Sequence, residues 1–390
     1  VWYARISLDP TLPKILWRRP DAFMAKPQGQ IMSKTAIALL KKLTEADAAP
    51  GFETEIREIF RDELSDAGDI STDRMGNIFC TRQGTEDGPV VMLDCHLDEV
   101  GFMVQLITKE GFVKFVPLGG WWGHVLLSQR LTISTQKGKV VGVTSAPPPH
   151  LLSKDAREKV LEVKDMFLDV GASSQEEAMD ELGIRPGQPI TPHTLFMPMS
   201  NPKMLSAKAF DNRCGCGLVI QAMQRMTGID HPNTIVGVGS VQEEVGVRGA
   251  EVSVAAANPD IAIVLEGPPA DDLPGSDLET AQGVSGNGVQ IRLFDPSTIC
   301  HPKLAEFIIQ TAEENNINHQ VAVRHSGGTN ALAIQRNGQG VATVVLGVPA
   351  RYIHTHVGII NIDDYIAALD LLEALLKKLD KAAVDAIYAG

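Results

Sequence analysis

The sequence has no run of 18 apolar residues free of charge, no Cys-x-x-Cys pair, no repeat of 20–50 residues and no basic patch. The first absence argues against a membrane-spanning helix. The second argues against a zinc module or redox pair, because the five cysteines, Cys80, Cys95, Cys214, Cys216 and Cys300, are odd in number and scattered. Reduced thiols in a cytoplasm are the plain expectation. The third absence excludes solenoids and propellers. Against 35 basic residues stand 48 acidic ones, a formal charge of −13 that repels nucleic acid and anionic membrane surfaces. What is present is a globular composition, 44% hydrophobic and 21% charged, on 390 residues. At roughly 100–200 residues per domain, that length implies two domains or one domain with a large insertion.

Residues 1–31 differ in character from the rest of the chain. They begin with Val, include the basic run Trp17-Arg18-Arg19-Pro20, and show no apolar core followed by a small-residue cleavage site. From Met32 the text SKTAIALLKKL spaces apolar residues as a helix does, behind a Ser cap at Ser33. The expectation is that Met32 is the natural start and that 1–31 is an extraneous or disordered extension. Helical patterns at about 34–44 and 53–66 then lead into β-type runs NIFCTRQ and VVMLDCH. Between about 105 and 204 short β-rich runs are separated by Gly and Pro, with one short charged helix near 153–159, as in a small barrel. After 205 helices and strands alternate again. The sequence therefore predicts a three-layer α/β/α domain with a mixed sheet, made of 32–104 and 205–390 and interrupted by a β-rich insertion at 105–204.

In open α/β sheets ligands bind at the carboxyl ends of strands. Five such ends carry polar residues. His96 and Asp98 follow the strand VVMLD; Asp211 sits just ahead of a helix, where an N-cap role is the ordinary alternative; Glu243 and Glu244 follow TIVGVGSV; Glu266 ends IAIVLE; His354 and His356 follow VATVVLGV. Taken alone, His96 with Asp98, or Glu266, reads more readily as a solvated surface group than as a ligand, and only for the Glu243–Glu244 pair do the two readings balance. Two histidines one residue apart in an extended segment attach about 7 Å apart, which suits one ligand and one supporting residue. Together His96, Asp211, Glu244, Glu266 and His354 supply two imidazoles and three carboxylates, suited to zinc, cobalt or manganese. That is too few for two independent four-coordinate sites, so a two-metal site with Asp211 as the bridge is the economical assembly.

The motifs HLDEVGFMV, AKAFDNRCG, QEEVGVRGA, SGGTNA and VPARYIHTH, with the strand-end Glu266, occur in an order that resembles the M42 family of metallo-aminopeptidases. That family includes tetrahedral and glutamyl aminopeptidases, and some of its members were long named endoglucanases. The likeness runs from about Leu40 to Leu379, with the β-rich insertion where the family has its dimerisation domain. It implies His96 and Glu266 on one metal, Glu244 and His354 on the other, Asp211 between them, Glu243 as catalytic general base and Asp98 as the acid supporting His96. It further implies short peptides with a free N-terminus as substrates, water activated by two divalent ions, and homo-oligomers in which dimers assemble further, often to a dodecamer. Two positions depart from the family pattern: many members have Asp at the position of Glu266, and Asp follows the SGGT loop where this chain has Asn330. The competing expectations are a glycoside hydrolase, which would leave both histidines idle, and a non-catalytic assembly protein of the same fold.

Overall fold

The protein is described from a computed structural model that covers residues 27–389 apart from Glu86 and Ala146. Most of the expected N-terminal extension, residues 1–26, lies outside the described residues. Helix α1 spans Pro27–Glu45 and α2 spans Thr54–Glu63. Because α1 begins ahead of Met32, Ser33 lies inside the helix and is not its cap. A proline is tolerated in a first turn, and nothing in QGQIM stops the helix from running on.

Strands β1 (Asp69–Thr72), β2 (Ile78–Arg82) and β3 (Val90–His96) open the large sheet. The chain then leaves it to build a closed barrel from β4 (Gly101–Ile107), β5 (Val113–Leu118), β6 (Arg130–Thr135), β7 (Gly138–Ser145), β8 (Phe167–Asp169) and β9 (Pro189–Pro192). One short helix, α3 (Lys154–Arg157), lies in the connection between β7 and β8. The barrel has its own core around Phe102, Phe115, Leu131, Ile133, Met166 and Leu168. Val141 and Val143 of β7 face outward, as period-two alternation requires.

Strands β10 (Met197–Pro198) and β11 (Met204–Ala207) close the excursion. The chain continues through α4 (Phe210–Arg225), β12 (Thr234–Ser240), α5 (Arg248–Ala257), β13 (Ile261–Glu266), β14 (Val289–Asp295), β15 (Thr298–Ile299), α6 (Pro302–Glu314) and β16 (His319–Val323). It ends with α7 (Ala331–Ile334), β17 (Ala342–Gly347), β18 (Ala350–Arg351), β19 (Gly358–Asn361), α8 (Ile362–Lys378) and α9 (Lys381–Tyr388).

Among the described residues the large sheet has the order β1-β2-β12-β3-β13-β17-β14-β15, with β16 added beside β14. Its centre, β12, β3, β13 and β17, is parallel, and its flanks are antiparallel at β2–β12 and β17–β14. The central strands are mostly apolar because both faces are covered, with Asp94 in the middle of β3 a buried exception. Ile261, Ile263 and Leu265 of β13 face the layer of α1, α4, α6 and α8, while Ala262 and Val264 face α5 and α7. This is the expected three-layer α/β/α architecture with a mixed sheet and an inserted barrel. A second sheet, β10-β11-β19-β18, stands beside it. In it the segment TLFMPMS, whose texture matches the barrel, pairs through β10 with β11, and β11 pairs with β19 near the chain's end. No helix among the described residues is long and apolar enough to cross a membrane.

Candidate metal centre

Three adjacent parallel strands bring their carboxyl ends to one edge, the arrangement that forms crevices in such sheets. Ser240 at the end of β12 is in register with His96 at the end of β3, and β13, which ends in Glu266, pairs with β3 on its other side. Asp211 arrives from the small sheet, between β11 and the body of α4, where Asp211 and Asn212 have non-helical dihedrals. The capping role is taken not by Asp211 but by the next residue, Asn212, whose Oδ1 accepts from Gly215 N at 2.9 Å. His354 comes from the turn between β18 and β19 and has φ 55°.

The side chains converge on Asp211. His96 Nε2 is 3.1 Å from Asp211 Oδ1 and 3.7 Å from Glu266 Oε2. His354 Nε2 is 3.4 Å from Asp211 Oδ2 and 3.3 Å from Glu244 Oε1. Donor atoms of His96, Asp211 and Glu266 lie within 4.8 Å of one another, as do those of Asp211, Glu244 and His354. A third group, His96, Glu243 and Glu244, meets the same limit, with Glu243 Oε2 at 4.0 Å from His96 Nε2. Asp98 works from behind: its Oδ1 accepts the backbone N–H of Glu243 at 2.9 Å and its Oδ2 that of Glu244 at 3.0 Å. It therefore anchors the turn that carries both glutamates, besides standing 3.5 Å from His96 Nδ1.

Two observations show that these residues fit divalent cations. First, both histidine tautomers are set by carbonyls. His96 Nδ1 is 3.0 Å from Asp98 O, and His354 Nδ1 is 3.0 Å from Gly120 O. A carbonyl only accepts, so Nδ1 carries a proton on each ring, and Nε2, the atom left to bind a cation, faces Asp211. Second, Glu244 Oε1 and Glu266 Oε1 are buried without a hydrogen-bond partner. Buried carboxylate oxygens in that state are costly unless a cation or proton meets them. Burial and the neighbouring carboxylates push Glu266 well above the usual range, with His96 opposing. Burial also drives Glu243 up to about 8 against the pull of His96. His354 rises to about 11, because Asp211 and Glu244 overcome the burial that would lower it.

The cleft over this cluster, about 390 Å³, is also lined by Arg292, Arg324 and the loop Ser326–Thr329. Arg292 is 5% exposed, pairs with Asp295 at 3.0 Å and has a buried Nε without a partner. Arg324 is buried and donates to Pro269 O at 3.2 Å. Among the described residues no carboxylate lies within ion-pair distance of it. A larger groove of about 680 Å³ runs between the barrel and the α1–α2 turn, past Phe52, Thr135, Lys137 and Arg185, away from the histidine–carboxylate cluster.

Of the residues singled out in the sequence, His96, Asp211, Glu243, Glu244, Glu266 and His354 meet at the cleft, with Asp98 directly behind. His356 points elsewhere, into a buried position 5.5 Å from the Trp121 ring. Arg351 is engaged by Asp272 at 2.8 and 2.7 Å. Asn330, where the family pattern has Asp, donates to the fully buried Asp94 at 2.7 Å. Burial raises Asp94 to about 7, so an amide donor suits it there. Sequence reasoning missed Arg292, whose one signal was a charge inside the apolar run VQIRLF, and the barrel's Gly120, which had none.

A family model described as M42 glutamyl aminopeptidase matches residues 76–371. The chain belongs to the M42 peptidase family. It is 37% identical to a glutamyl aminopeptidase of Lactococcus lactis subsp. cremoris (strain MG1363), over 88% of this chain and 97% of that one. Among solved structures it resembles a TET aminopeptidase from the marine sediment archaeon Thaumarchaeota archaeon SCGC AB-539-E09, with TM-score 0.88, 39% identity, and 91% and 99% of the two chains covered. It also resembles the TET1 peptidase of Pyrococcus horikoshii, described as able to assemble into a tetrahedron or a large octahedral shell, with TM-score 0.78, 31% identity, and 88% and 100% covered. Like its family, the chain is a peptide-bond hydrolase.

Proposed function

We propose that this chain is a dinuclear, metal-dependent aminopeptidase that releases N-terminal residues from short peptides. The observation that carries the reading is the pair of donor triads sharing Asp211, one with His96 and Glu266, the other with Glu244 and His354. Zinc and cobalt suit these donors best, and manganese is a further fit. Bound there, divalent ions would polarise the scissile carbonyl and ease deprotonation of water.

The chain's own residues account for the rest. Glu243, held by Asp98 through its backbone N–H, is half-buried, belongs to neither of the two triads that share Asp211, and stands 4.0 Å from His96 Nε2, where a general base can reach a water in the cleft. It takes the proton of the attacking water and delivers it to the leaving amine. The excess of carboxylates over cations in the cluster favours the free α-amine of a substrate, a group that an internal peptide bond lacks. Arg292 and Arg324 on the wall favour an acidic side chain on the residue released. A glycosidase would need two carboxylates and would leave His96 and His354 unused. An assembly protein without chemistry would have no use for a poised Glu243.

The five cysteines are buried and free, which supports a reducing, cytoplasmic setting. The exposed outward face of the barrel and the assembling relative support a homo-oligomer built from dimers through the insertion at 105–204. Light scattering tests that state.

The activity test compares peptides with free and acetylated N-termini by time-resolved mass spectrometry, with and without chelator. Stepwise loss of N-terminal residues from free peptides only, abolished by chelation and restored by cobalt or zinc, is expected. Internal fragments appearing first would overturn the exopeptidase reading. On chromogenic amides, Glu is expected to exceed Gln and Lys in kcat/KM, and Arg324→Gln to erase roughly 10–100-fold of that lead, the worth of a charged hydrogen bond.

A further inference from the structure

We infer that the barrel supplies a positioning element of the metal centre: its segment Gly119–Trp121, through the Gly120 carbonyl, fixes the tautomer and the place of His354. The inference rests on the two-metal reading above and goes beyond it, because that reading draws every donor from the α/β domain and the small sheet.

The two histidines are held differently. His96 ends a central strand, its side chain is 2% exposed, and its Nδ1–H is taken by Asp98 O, two residues along the same chain segment. His354 sits in a turn with φ 55° and its side chain is 35% exposed. Its Nδ1–H is taken by Gly120 O at 3.0 Å, 234 residues away in sequence and just past β5 of the barrel. Without that acceptor either ring nitrogen could carry the proton, and Nε2 would not be committed to Asp211 and Glu244.

The carbonyl is itself fixed in place. Gly119 has φ 90°, and a Cβ there would come 2.7 Å from Val100 Cγ1 and 3.3 Å from Glu244 Oε2. A glycine is thus what lets this barrel segment lie against the glutamate turn. Next to the carbonyl, the Trp121 indole donates to Gly101 O at 3.1 Å and stacks on Phe102 at 4.8 Å between centroids. The same indole lies 5.5 Å from the His356 ring, two residues past His354. Both histidines of the H-T-H segment therefore seat on one short stretch of barrel, the first by a carbonyl and the second by an aromatic ring.

The test uses the full chain, stripped of metal and titrated with cobalt alone, read by bound equivalents and by the visible spectrum of the cobalt. Wild type is expected to bind two equivalents; fewer than two defeats the two-metal reading itself and not this inference specifically. Gly119→Ala is expected to weaken one equivalent by about 10–100-fold, the usual effect of losing a partner behind a ligand, with the other equivalent and the far-ultraviolet dichroism unchanged. Trp121→Ala is expected to do the same less strongly, and Trp121→Phe, which keeps the stacking surface, to recover most of the affinity. In a His354→Ala background Trp121→Ala, which removes no contact to Glu244, is expected to have no further effect, since the two act on one ligand. Unchanged affinity in both Gly119→Ala and Trp121→Ala overturns the inference. So does equal weakening of both equivalents, or a loss that simply adds to that of His354→Ala. Should Gly119→Ala fail to fold, the Trp121→Ala and Trp121→Phe pair decides by the same criteria.

Discussion

The α/β domain and the barrel solve different physical problems. The α/β domain buries a large apolar core on both faces of its sheet and can therefore hold charged groups at one edge of that sheet. The barrel has a small core, faces such as Val141 and Val143 open to solvent, and none of the side chains of the two donor triads. What it contributes at the centre is backbone: a carbonyl beside His354, set by Gly119 and Trp121. Reactive side chains thus come from the rigid sheet and its neighbour, while the insertion orients one of them from outside. Substitutions at the sheet edge should consequently abolish chemistry, and those in the barrel or at its junction should tune it.

The largest effect expected is from Asp211→Ala. Both triads share this carboxylate, so two equivalents of metal should be lost together and peptide hydrolysis should fall below detection; loss of a single equivalent, by elemental analysis, would show that Asp211 serves one ion only. Next comes Glu243→Gln, which keeps shape and the backbone N–H held by Asp98. Metal content should be unchanged and kcat reduced by roughly 10²–10⁴, the usual worth of a placed base, so a near-normal rate would remove it from that role. Asp98→Asn should cost less, roughly 10–100-fold, by the reasoning for groups behind a ligand. Its amide offers one acceptor oxygen where two backbone N–H groups now have one each. A double-mutant cycle with Glu243→Gln should show the two effects failing to add.

The chain's order of texture, apolar strands among helices broken by a β-rich stretch, was enough to read the three layers and the barrel, because burial on two faces and on one leaves different periods in the sequence. The cluster was legible for a related reason. His96, Glu244 and Glu266 are polar residues at the ends of apolar runs, and parallel strands force such ends together. Three features were not legible. Ser33 looked like a cap because capping residues are also tolerated inside helices, and only the course of the chain ahead of it decides. TLFMPMS reads like barrel, since strand propensity does not say which sheet a strand joins. The Gly120 carbonyl has no signature at all: every residue has a carbonyl, and its role comes from a contact spanning 234 positions.

The smallest effect expected lies at the junction of the two regions, where a single aspartate has one buried and one exposed partner. Asp47 Oδ1 is 2.7 Å from Lys208 Nζ, whose side chain is 2% exposed and which also meets Glu99 at 2.7 Å. Its Oδ2 is 2.8 Å from Lys139 Nζ of β7, 47% exposed, which also reaches Glu55 at 2.8 Å. Burial would raise Asp47, yet the two lysines bring it from 3.8 down to about 2. A carboxyl depressed on folding stabilises the protein above its ordinary value, and that contribution is lost as pH falls through about 4 towards 2. Lys208→Met should cost about 1–3 kcal/mol at pH 7, because it removes a buried charged donor from both Asp47 and Glu99, although Arg213 stays 3.1 Å from Glu99. Lys139→Met removes only the exposed arm and should cost less than about 1 kcal/mol. Its small cost should fade between pH 4 and pH 2 as Asp47 takes up its proton. Thermal melts of both variants across that range check the contrast. Equal losses at pH 7 would mean that the barrel is clamped to the α/β domain as firmly as the domain's own interior, and the division between a rigid edge and a tuning insertion would fail.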